Sequence, residues 1–333
     1  MDLTIIFVNY KSENYLYNCI QSLYRHCKDR SFEIIVVDNF HAPGANQAIL
    51  TEFPETQWII QATNSGFSIA NNRGLAAAKG KYVLFLNADT LAFDNSIENA
   101  INHLEQQPEI AALGAYQLQE DFTRHPFYWS QNQLRKDLYI LPSHPVFQKI
   151  LFSLLPKEHF QSAEETNNLV GFFMLMKKET ALRAGAWDED FFLYAEDVEF
   201  SNRLSKIGKL CYFEDVQMTH LVGNNPFRRT KISFVNRFSV QIQISNLLWI
   251  RKSYGALAYL IILLNYAIVL PGYWIWKFIN NLSKGKSPLF NTENQILFSR
   301  KLFVLFSYIP KMLILKDFLF QIKPEENIDL KEK

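Results

Sequence analysis

An α/β architecture is predicted: a mostly parallel sheet covered by helices, followed by a helical C-terminal extension. Three observations predict it. Short Val, Ile, Leu and Phe runs alternate with helical periodicity through the first hundred residues. Acidic residues, Asp38 and Asp89, stand at the ends of two of these runs, where open α/β sheets bind their ligands. From Ser253 to Trp276 no residue is charged, so the tail differs in character from what precedes it.

The elements follow in order. Residues 3–8 predict a buried strand, 12–27 a helix, and 33–38 a second strand ending on Asp38. A third strand is expected at 56–61, a helix over 68–79 stopped by Gly80, and a fourth strand at 81–86 running into Asn87-Ala88-Asp89. A helix near 94–106 and a strand over 110–117 come next. Residues 118–165 lose the pattern, with aromatics interrupted by Pro126, Pro142, Pro145 and Pro156. That stretch fits either an acceptor-side insertion or a loosely patterned packing layer. Regularity returns over 168–176, then a helix near 178–184, then an acidic segment over 187–199 that continues as a helix through Leu204. The expected domain boundary separates residues 1–225 from 226–333.

Bulk properties exclude several classes. Thirty-four Lys and Arg against 33 Asp and Glu give a formal charge of +1, so no global field draws the chain to nucleic acid. Zinc-finger spacing and a coherent basic helix are also missing from the first half. Cys19, Cys27 and Cys211 form no CxxC pair, and an odd, sparse set fits a reducing compartment rather than a disulfide framework. The N-terminus opens directly into a strand pattern, without the basic region, apolar stretch and cleavage site of a secretory signal.

The uncharged tail segment, flanked by Arg251-Lys252 and Lys277, is long enough to span a bilayer. Asn265 and Pro271-Gly272 interrupt it, which also suits a kinked buried hairpin or an in-plane helix, the in-plane arrangement being favoured. A second apolar stretch around 302–320, broken by Pro310 and Lys311, favours contact with a membrane surface. Beyond Trp276 there are ten Lys or Arg against six Asp or Glu, an excess that suits anionic headgroups and an ordinary solvated surface alike.

Three acidic positions carry the chemistry. Asp38 can accept hydrogen bonds from a nucleobase or ribose; as Asp38-Asn39 it also suits an Asx turn. Asp89, in Asn87-Ala88-Asp89-Thr90, can hold a hard divalent cation while phosphate oxygens complete the shell. Its plain alternative is a helix N-cap. The segment from Asp188 to Glu199 concentrates carboxylates among aromatics. A solvated helix face explains Glu199 but not why Glu196-Asp197 should follow Phe191-Phe192-Leu193-Tyr194, where aromatic walls suit a general base. Gly66 and Gly74 permit close backbone approach, while Asn64, Asn71, Asn72 and Arg73 supply donors for phosphate. Arg73 could equally pair with a surface carboxylate. This segment is neither a P-loop nor a GxGxxG fingerprint.

In this order, the motifs resemble those of the GT-A glycosyltransferases of family 2, especially rhamnosyltransferase-like members of bacterial cell-surface polysaccharide synthesis. The match runs through Ile5-Ile6-Phe7-Val8-Asn9-Tyr10, Val36-Val37-Asp38-Asn39 and the segment from Asn64 to Gly74. It continues through Leu84-Phe85-Leu86-Asn87-Ala88-Asp89, Gly171 to Met176, Trp187 to Phe192, Glu196-Asp197 and His220. The resemblance implies a Rossmann-like nucleotide-binding sheet and inverting transfer from a nucleotide-sugar donor, dTDP-rhamnose first and UDP-hexose next. The implied acceptor is a glycan or lipid-linked saccharide at the cytoplasmic face of a membrane.

Roles carry over residue by residue. Asp38 looks like the nucleobase-binding Asp, Asp89 like the last residue of the metal-binding DXD motif, and Asp197 like the catalytic base. His220 resembles the His that completes coordination of Mn2+ or Mg2+ in some members; packing beside Thr219 and Leu221 would also explain it. Asn9, Asn64, Gly66, Asn72, Arg73 and Asn87 are expected on the donor, and Trp187 and Glu196 on the acceptor. Asn87 replaces the first Asp of the fuller DXD form, His41 stands near a frequent Ser, and Asn9-Tyr10-Lys11 lacks the frequent Tyr-Asn ending. A nucleotidyltransferase would need a Gly-rich loop where Asn9-Tyr10-Lys11-Ser12 stands. A non-enzymatic membrane-surface scaffold or carbohydrate-binding module would not need Asp38, Asp89 and Asp197 together.

Overall fold

In the computed structural model, which describes residues 1–140, 145–221, 234–315 and 320–321, β1 (Leu3–Asn9) pairs parallel with β2 (Phe32–Asp38) and β4 (Tyr82–Leu86). The edge strand β3 (Gln57–Ile60) extends this parallel half beyond β2. On the other side β8 (Phe173–Lys177) pairs antiparallel with β4 and with β6 (Ile110–Leu118). Parallel pairing resumes between β6 and β9 (Lys209–His220), and β5 (Thr90–Leu91) and β7 (Glu165–Thr166) lie antiparallel on β9. The sheet is thus a parallel half joined to a mixed half.

Strands buried on both faces explain the near-continuous apolar runs. Ile5, Phe7 and Leu84 point to one face, packing with Leu16, Ile20 and Leu23 of α1 (Glu13–His26), Ile49 of α2 (Gln47–Glu52), and Ile97 and Ile101 of α4 (Ser96–Gln106). Ile6, Val83, Phe85 and Met174 point to the other. There they meet α3 (Gly66–Ala77), α7 (Lys178–Arg183) and α8 (Glu196–Leu204) through Ala70, Leu75, Ala181, Phe200 and Leu204. Each such large side chain contributes about 1.5–3 kcal/mol by leaving water.

Register decides where the site lies. β1, β2 and β4 are parallel, so Asn9, Asp38 and the Asn87-Ala88-Asp89 turn leave the sheet at one edge. β8 runs the other way, so its first residue, Phe173, sits opposite Leu86 at that same edge. The pairings Leu118 with Thr219 and Thr90 with His220 bring the ends of β6 and β9 there too.

The chain divides into two compact units. The first takes residues 1–131, 159–192 and 196–225, and the second takes 132–158, 193–195 and 226–333. The expected boundary between 225 and 226 lies outside the described residues, as does Pro142. In the irregular stretch, α5 (Gln131–Leu138) and α6 (Pro145–Leu154) are helices that the sequence pattern did not predict. Pro145 begins α6 rather than ending one, because a first-turn residue needs no N–H.

The second unit is dominated by α9 (Val240–Ser283), α10 (Glu293–Ser307) and α11 (Ile309–Ile314). Ser239 caps α9 by accepting from the Ile242 N–H at 3.3 Å. Gly255, at φ 87°, breaks α9, whereas Pro271 is accommodated within it. Asn265 does not interrupt the helix either. Its amide brackets Ile140, donating to the carbonyl at 3.1 Å and accepting from the N–H at 2.9 Å. Among the described residues, α9 is the one helix long and apolar enough to cross a membrane, with mean hydropathy 1.9 in its most apolar window.

Candidate active site

Asp38 ends β2 and is 1% exposed. Its Oδ1 accepts from Asn9 Nδ2 at 2.9 Å and from the Phe40 N–H at 3.2 Å. Its Oδ2 accepts from Trp58 Nε1 at 3.1 Å, with His41 Nδ1 at 3.5 Å. The carboxylate is therefore fixed in orientation by groups from the two flanking strands and the following turn. Asn9 also donates to Glu13 Oε1 at 3.0 Å and accepts from Ser12, so its amide is similarly fixed.

The next residue, Asn39, ties Asp38 to the glycine turn. Asn39 Nδ2 donates to the Gly66 carbonyl at 2.9 Å, and Asn39 Oδ1 accepts from the Ser65 N–H and hydroxyl. Asn64 Oδ1 accepts from the Gly66 N–H at 3.0 Å. Gly66 has φ +83°, and a Cβ there would lie 2.5 Å from the Phe192 carbonyl. Only glycine suits both conditions.

Asp89 and His220 come together across β5 and β9, with His220 Nε2 3.0 Å from Asp89 Oδ1. The imidazole stacks on Phe172 at 5.1 Å between ring centroids. Its Nδ1 is buried without a hydrogen-bond partner. The half-buried Asn87 donates its N–H to the Phe172 carbonyl at 2.9 Å. Asp89 and His220 thus make a two-donor platform of one carboxylate and one imidazole. Among the described residues, no cluster of three or more His, Cys, Asp or Glu forms a closed metal cage.

Asp197 lies in the first turn of α8. Its Oδ2 accepts from the Gly171 N–H at 2.8 Å and its Oδ1 from the Val198 N–H at 2.9 Å. Burial raises its pKa above the ordinary Asp value, and the backbone donors oppose that rise. Glu196 beside it is 6% exposed, with Oε2 unpartnered. Burial first and the Asp197 charge second push the Glu196 carboxyl well above its usual range. Gly171 and Phe172 connect the two halves of the site: Gly171 donates to Asp197 while Phe172 carries His220 and accepts from Asn87.

The remaining expected residues occupy different places. Asn72 donates to the Trp187 carbonyl and to Glu189 Oε1, both at 2.9 Å, and accepts from the Trp187 N–H at 2.9 Å. Its amide therefore clips the acidic segment to α3. Trp187 is 1% exposed and packs edge-on against Phe67 and Phe85, so its indole belongs to the core. Arg73 is exposed. All three cysteines are buried and free, and burial pushes the Cys19 and Cys211 thiols up to about 12. Sequence reading missed the bond from Trp58 to Asp38; the only signal was an indole on a predicted strand beside β2. It also missed Phe172 as the surface beneath His220.

Fixed carboxylates at the carboxyl edge of a half-parallel sheet stand where α/β folds bind their ligands. The chain belongs to glycosyl transferase family 2, whose profile matches residues 4–179. It is similar to the rhamnosyltransferase WbbL of Escherichia coli K12, 25% identical over 61% of this chain and 77% of that protein. It is also similar to an N-acetylglucosaminyl-diphospho-decaprenol L-rhamnosyltransferase of Mycobacterium tuberculosis, 22% identical over 66% of this chain and 75% of the relative. Among solved structures, the mannosyltransferase PcManGT of Pyrobaculum calidifontis, in complex with GDP-Man and Mn2+, matches with TM-score 0.50 and 16% identity. That match covers 95% of this chain and 88% of PcManGT. GalNAc-T7 with UDP, GalNAc and Mn2+ matches with TM-score 0.52 and 14% identity, covering 75% and 48%. The fold is the GT-A fold and the protein is a glycosyltransferase.

Proposed function

We propose that this enzyme transfers a sugar, with inversion, from a nucleotide-sugar donor to a glycan or lipid-linked saccharide acceptor in cell-surface polysaccharide synthesis. The names of its relatives support dTDP-rhamnose as first donor, with UDP-hexoses next. The observation that carries the reading is the Gly171-Phe172 link, which holds Asp197 by a backbone donor and His220 by a ring face.

Asp38, with Asn9, receives the base or ribose of the donor, and Asn64, Gly66, Asn87 and the exposed Arg73 line the path of its diphosphate. Asp89 and His220 would hold Mn2+ or Mg2+. Two protein donors fit a hard cation that takes its other ligands from diphosphate and water. Held there, such an ion would offset charge on the departing diphosphate. Asp197 accepts the proton of the acceptor hydroxyl as that oxygen bonds to the anomeric carbon and the bond to diphosphate breaks on the opposite face. Burial brings its pKa nearer to working pH, which suits a general base. Burial and the neighbouring Asp197 raise the Glu196 pKa, which favours its protonated form beside the base.

In this reading residues 1–225 are catalytic and 226–333 hold the enzyme at the cytoplasmic face of a membrane, with no nucleic-acid partner. Exposed Leu257, Ile268, Trp276, Leu289 and Phe303 in the second unit support surface contact. The test is a donor screen with purified full-length protein and lipid-linked acceptors, with mass determination of the product. Failure to release nucleoside diphosphate from any donor with any acceptor would count against it.

A further inference from the structure

A cleft apart from the proposed donor and metal residues lies at the same edge of the sheet. It is bounded by Tyr116, Arg124, His125, Pro126, Phe127 and Trp129, with a volume of about 280 Å³. We propose that it binds one saccharide unit of the acceptor, an assignment that rests on reading Asp197 as the acceptor-side base.

The local sequence builds the cleft. After β6 the chain reverses through Gln119 to Thr123, held by Asp121, which accepts from the Thr123 N–H and hydroxyl. Arg124 then pairs antiparallel with Leu118, and the His125 N–H donates to the Gln117 carbonyl at 2.8 Å. This reversal lays Pro126, Phe127 and Trp129 back beside Tyr116. The rings do not stack on one another: Tyr116 meets Phe127 edge-on at 6.2 Å, and Phe127 tilts against Trp129 at 5.9 Å. Phe127, Trp129 and Tyr116 are half-buried, so part of each ring stays accessible.

The chemistry selects the ligand. A sugar ring offers C–H bonds on one face and hydroxyls at its rim, which suits aromatic walls with a polar border. The Arg124 guanidinium lies 4.0 Å above the Tyr116 ring and forms a two-bond ion pair with Glu214. Its charge is matched by that carboxylate, so the border donates hydrogen bonds without attracting a phosphate strongly. The volume lies just below the roughly 300–1,000 Å³ of drug-sized ligand pockets, a scale that suits a single sugar ring.

The position fits an acceptor. Tyr116 pairs with Gln217, three residues before His220. The Trp129 carbonyl accepts from the Thr166 hydroxyl, and the Tyr128 carbonyl accepts from Asn168 Nδ2 at 2.7 Å. Two residues beyond Asn168, the Val170 N–H donates at 2.9 Å to the hydroxyl of Tyr212, whose ring packs on Phe127 and Trp129. The next N–H, from Gly171, is the one held by Asp197. The segment from Thr166 to Gly171 thus carries both the cleft wall and the proposed base.

The test follows the indole N–H resonance of Trp129 in the full-length protein, assigned with Trp129→Phe, against methyl glycosides of glucose, rhamnose and N-acetylglucosamine. At least one glycoside should shift that resonance. Trp129→Ala and Phe127→Ala, each checked for native circular dichroism, should weaken its binding by about 10-fold, read in parent and variants alike from saturation-transfer difference signals of the glycoside. Affinity for dTDP and UDP, by calorimetry, should stay within about two-fold in both variants. In transfer assays the acceptor KM should rise by a similar factor with kcat little changed. No shift with any glycoside, binding by both variants as tight as by the parent, or a response to thymidine and uridine alone would each overturn the assignment. Loss of dTDP and UDP binding in the unaltered protein would instead strike the transfer reading.

Discussion

Gly171 and Asp197 are in direct contact: the Gly171 N–H lies 2.8 Å from Asp197 Oδ2, and a Cβ on Gly171 would lie 3.1 Å from Asp197 Cβ. The smallest added side chain therefore pushes on the proposed base. Gly171→Ala should slow transfer by about 10- to 10²-fold, the cost of a small displacement at a reacting group. Donor affinity should stay within a few-fold. Single-turnover transfer beside donor calorimetry separates the two, and unchanged turnover would show that the contact does not position the carboxylate.

Asp197→Asn preserves size while removing charge and basicity. Transfer at saturating substrates should fall by roughly 10²-fold or more. Near-normal turnover by folded protein would reject Asp197 and turn attention to Asp188, Glu189 or Asp190. Asp38→Asn should show the opposite split, weakening nucleotide binding more than the chemical step, because Asp38 is tied to the pocket and not to Asp197.

Asp89→Ala should abolish the enhancement of nucleoside diphosphate affinity by Mn2+ or Mg2+, and His220→Ala should reduce it. Calorimetry with and without the cation measures this directly. Equal enhancement in both variants and the parent would exclude the pair as the metal platform.

Glu196 makes stability depend on pH. Its folded pKa is raised by burial and by Asp197, above the roughly 4.3 of an unfolded Glu. Between those two values the native state holds the extra proton, so the contribution is fully present below the unfolded pKa and is lost as pH rises through the folded one. Melting temperature should therefore decline with rising pH over that window. Glu196→Gln should flatten the decline, leaving the smaller slope from Asp197, whose shift has the same sign. Identical pH profiles would show that Glu196 ionises normally.

Full-length protein should sediment with anionic vesicles, driven by exposed apolar side chains of the second unit. Phe303 is 77% exposed and Leu289 65% exposed, so replacing both with Ser should weaken sedimentation without lowering the melting temperature. Retention in the supernatant by the parent protein would remove the membrane from the proposal.

The parallel half of the sheet was legible because strands buried on both faces are uninterrupted apolar runs: 3–8, 33–38 and 81–86 fall within a residue or two of β1, β2 and β4. β9 was not, since exposed Glu214 and Asp215 interrupt it and its register with β6 shifts twice. α5 was hidden by its polar Arg135-Lys136-Asp137 run. Acidic site positions were readable from residue type and place. The commitments of Asn72 and Trp187 were not, because their contact joins positions 115 residues apart. Asn265 looked like a helix breaker because its partner, Ile140, lies in a segment that showed no pattern.

Asp38 also has a consequence for the margin of the sheet. Its side chain takes one bond from Asn9 on β1 and another from Trp58 on β3, and its carbonyl accepts from the Gln61 N–H at 2.9 Å just past β3. β3 is an edge strand of only four residues, the kind of element that opens by local fluctuation. Were it to peel away, the carboxylate would lose the indole that sets its angle. Amide exchange along β3 and the readiness of Asp38 to meet a ligand are therefore two readings of one local equilibrium.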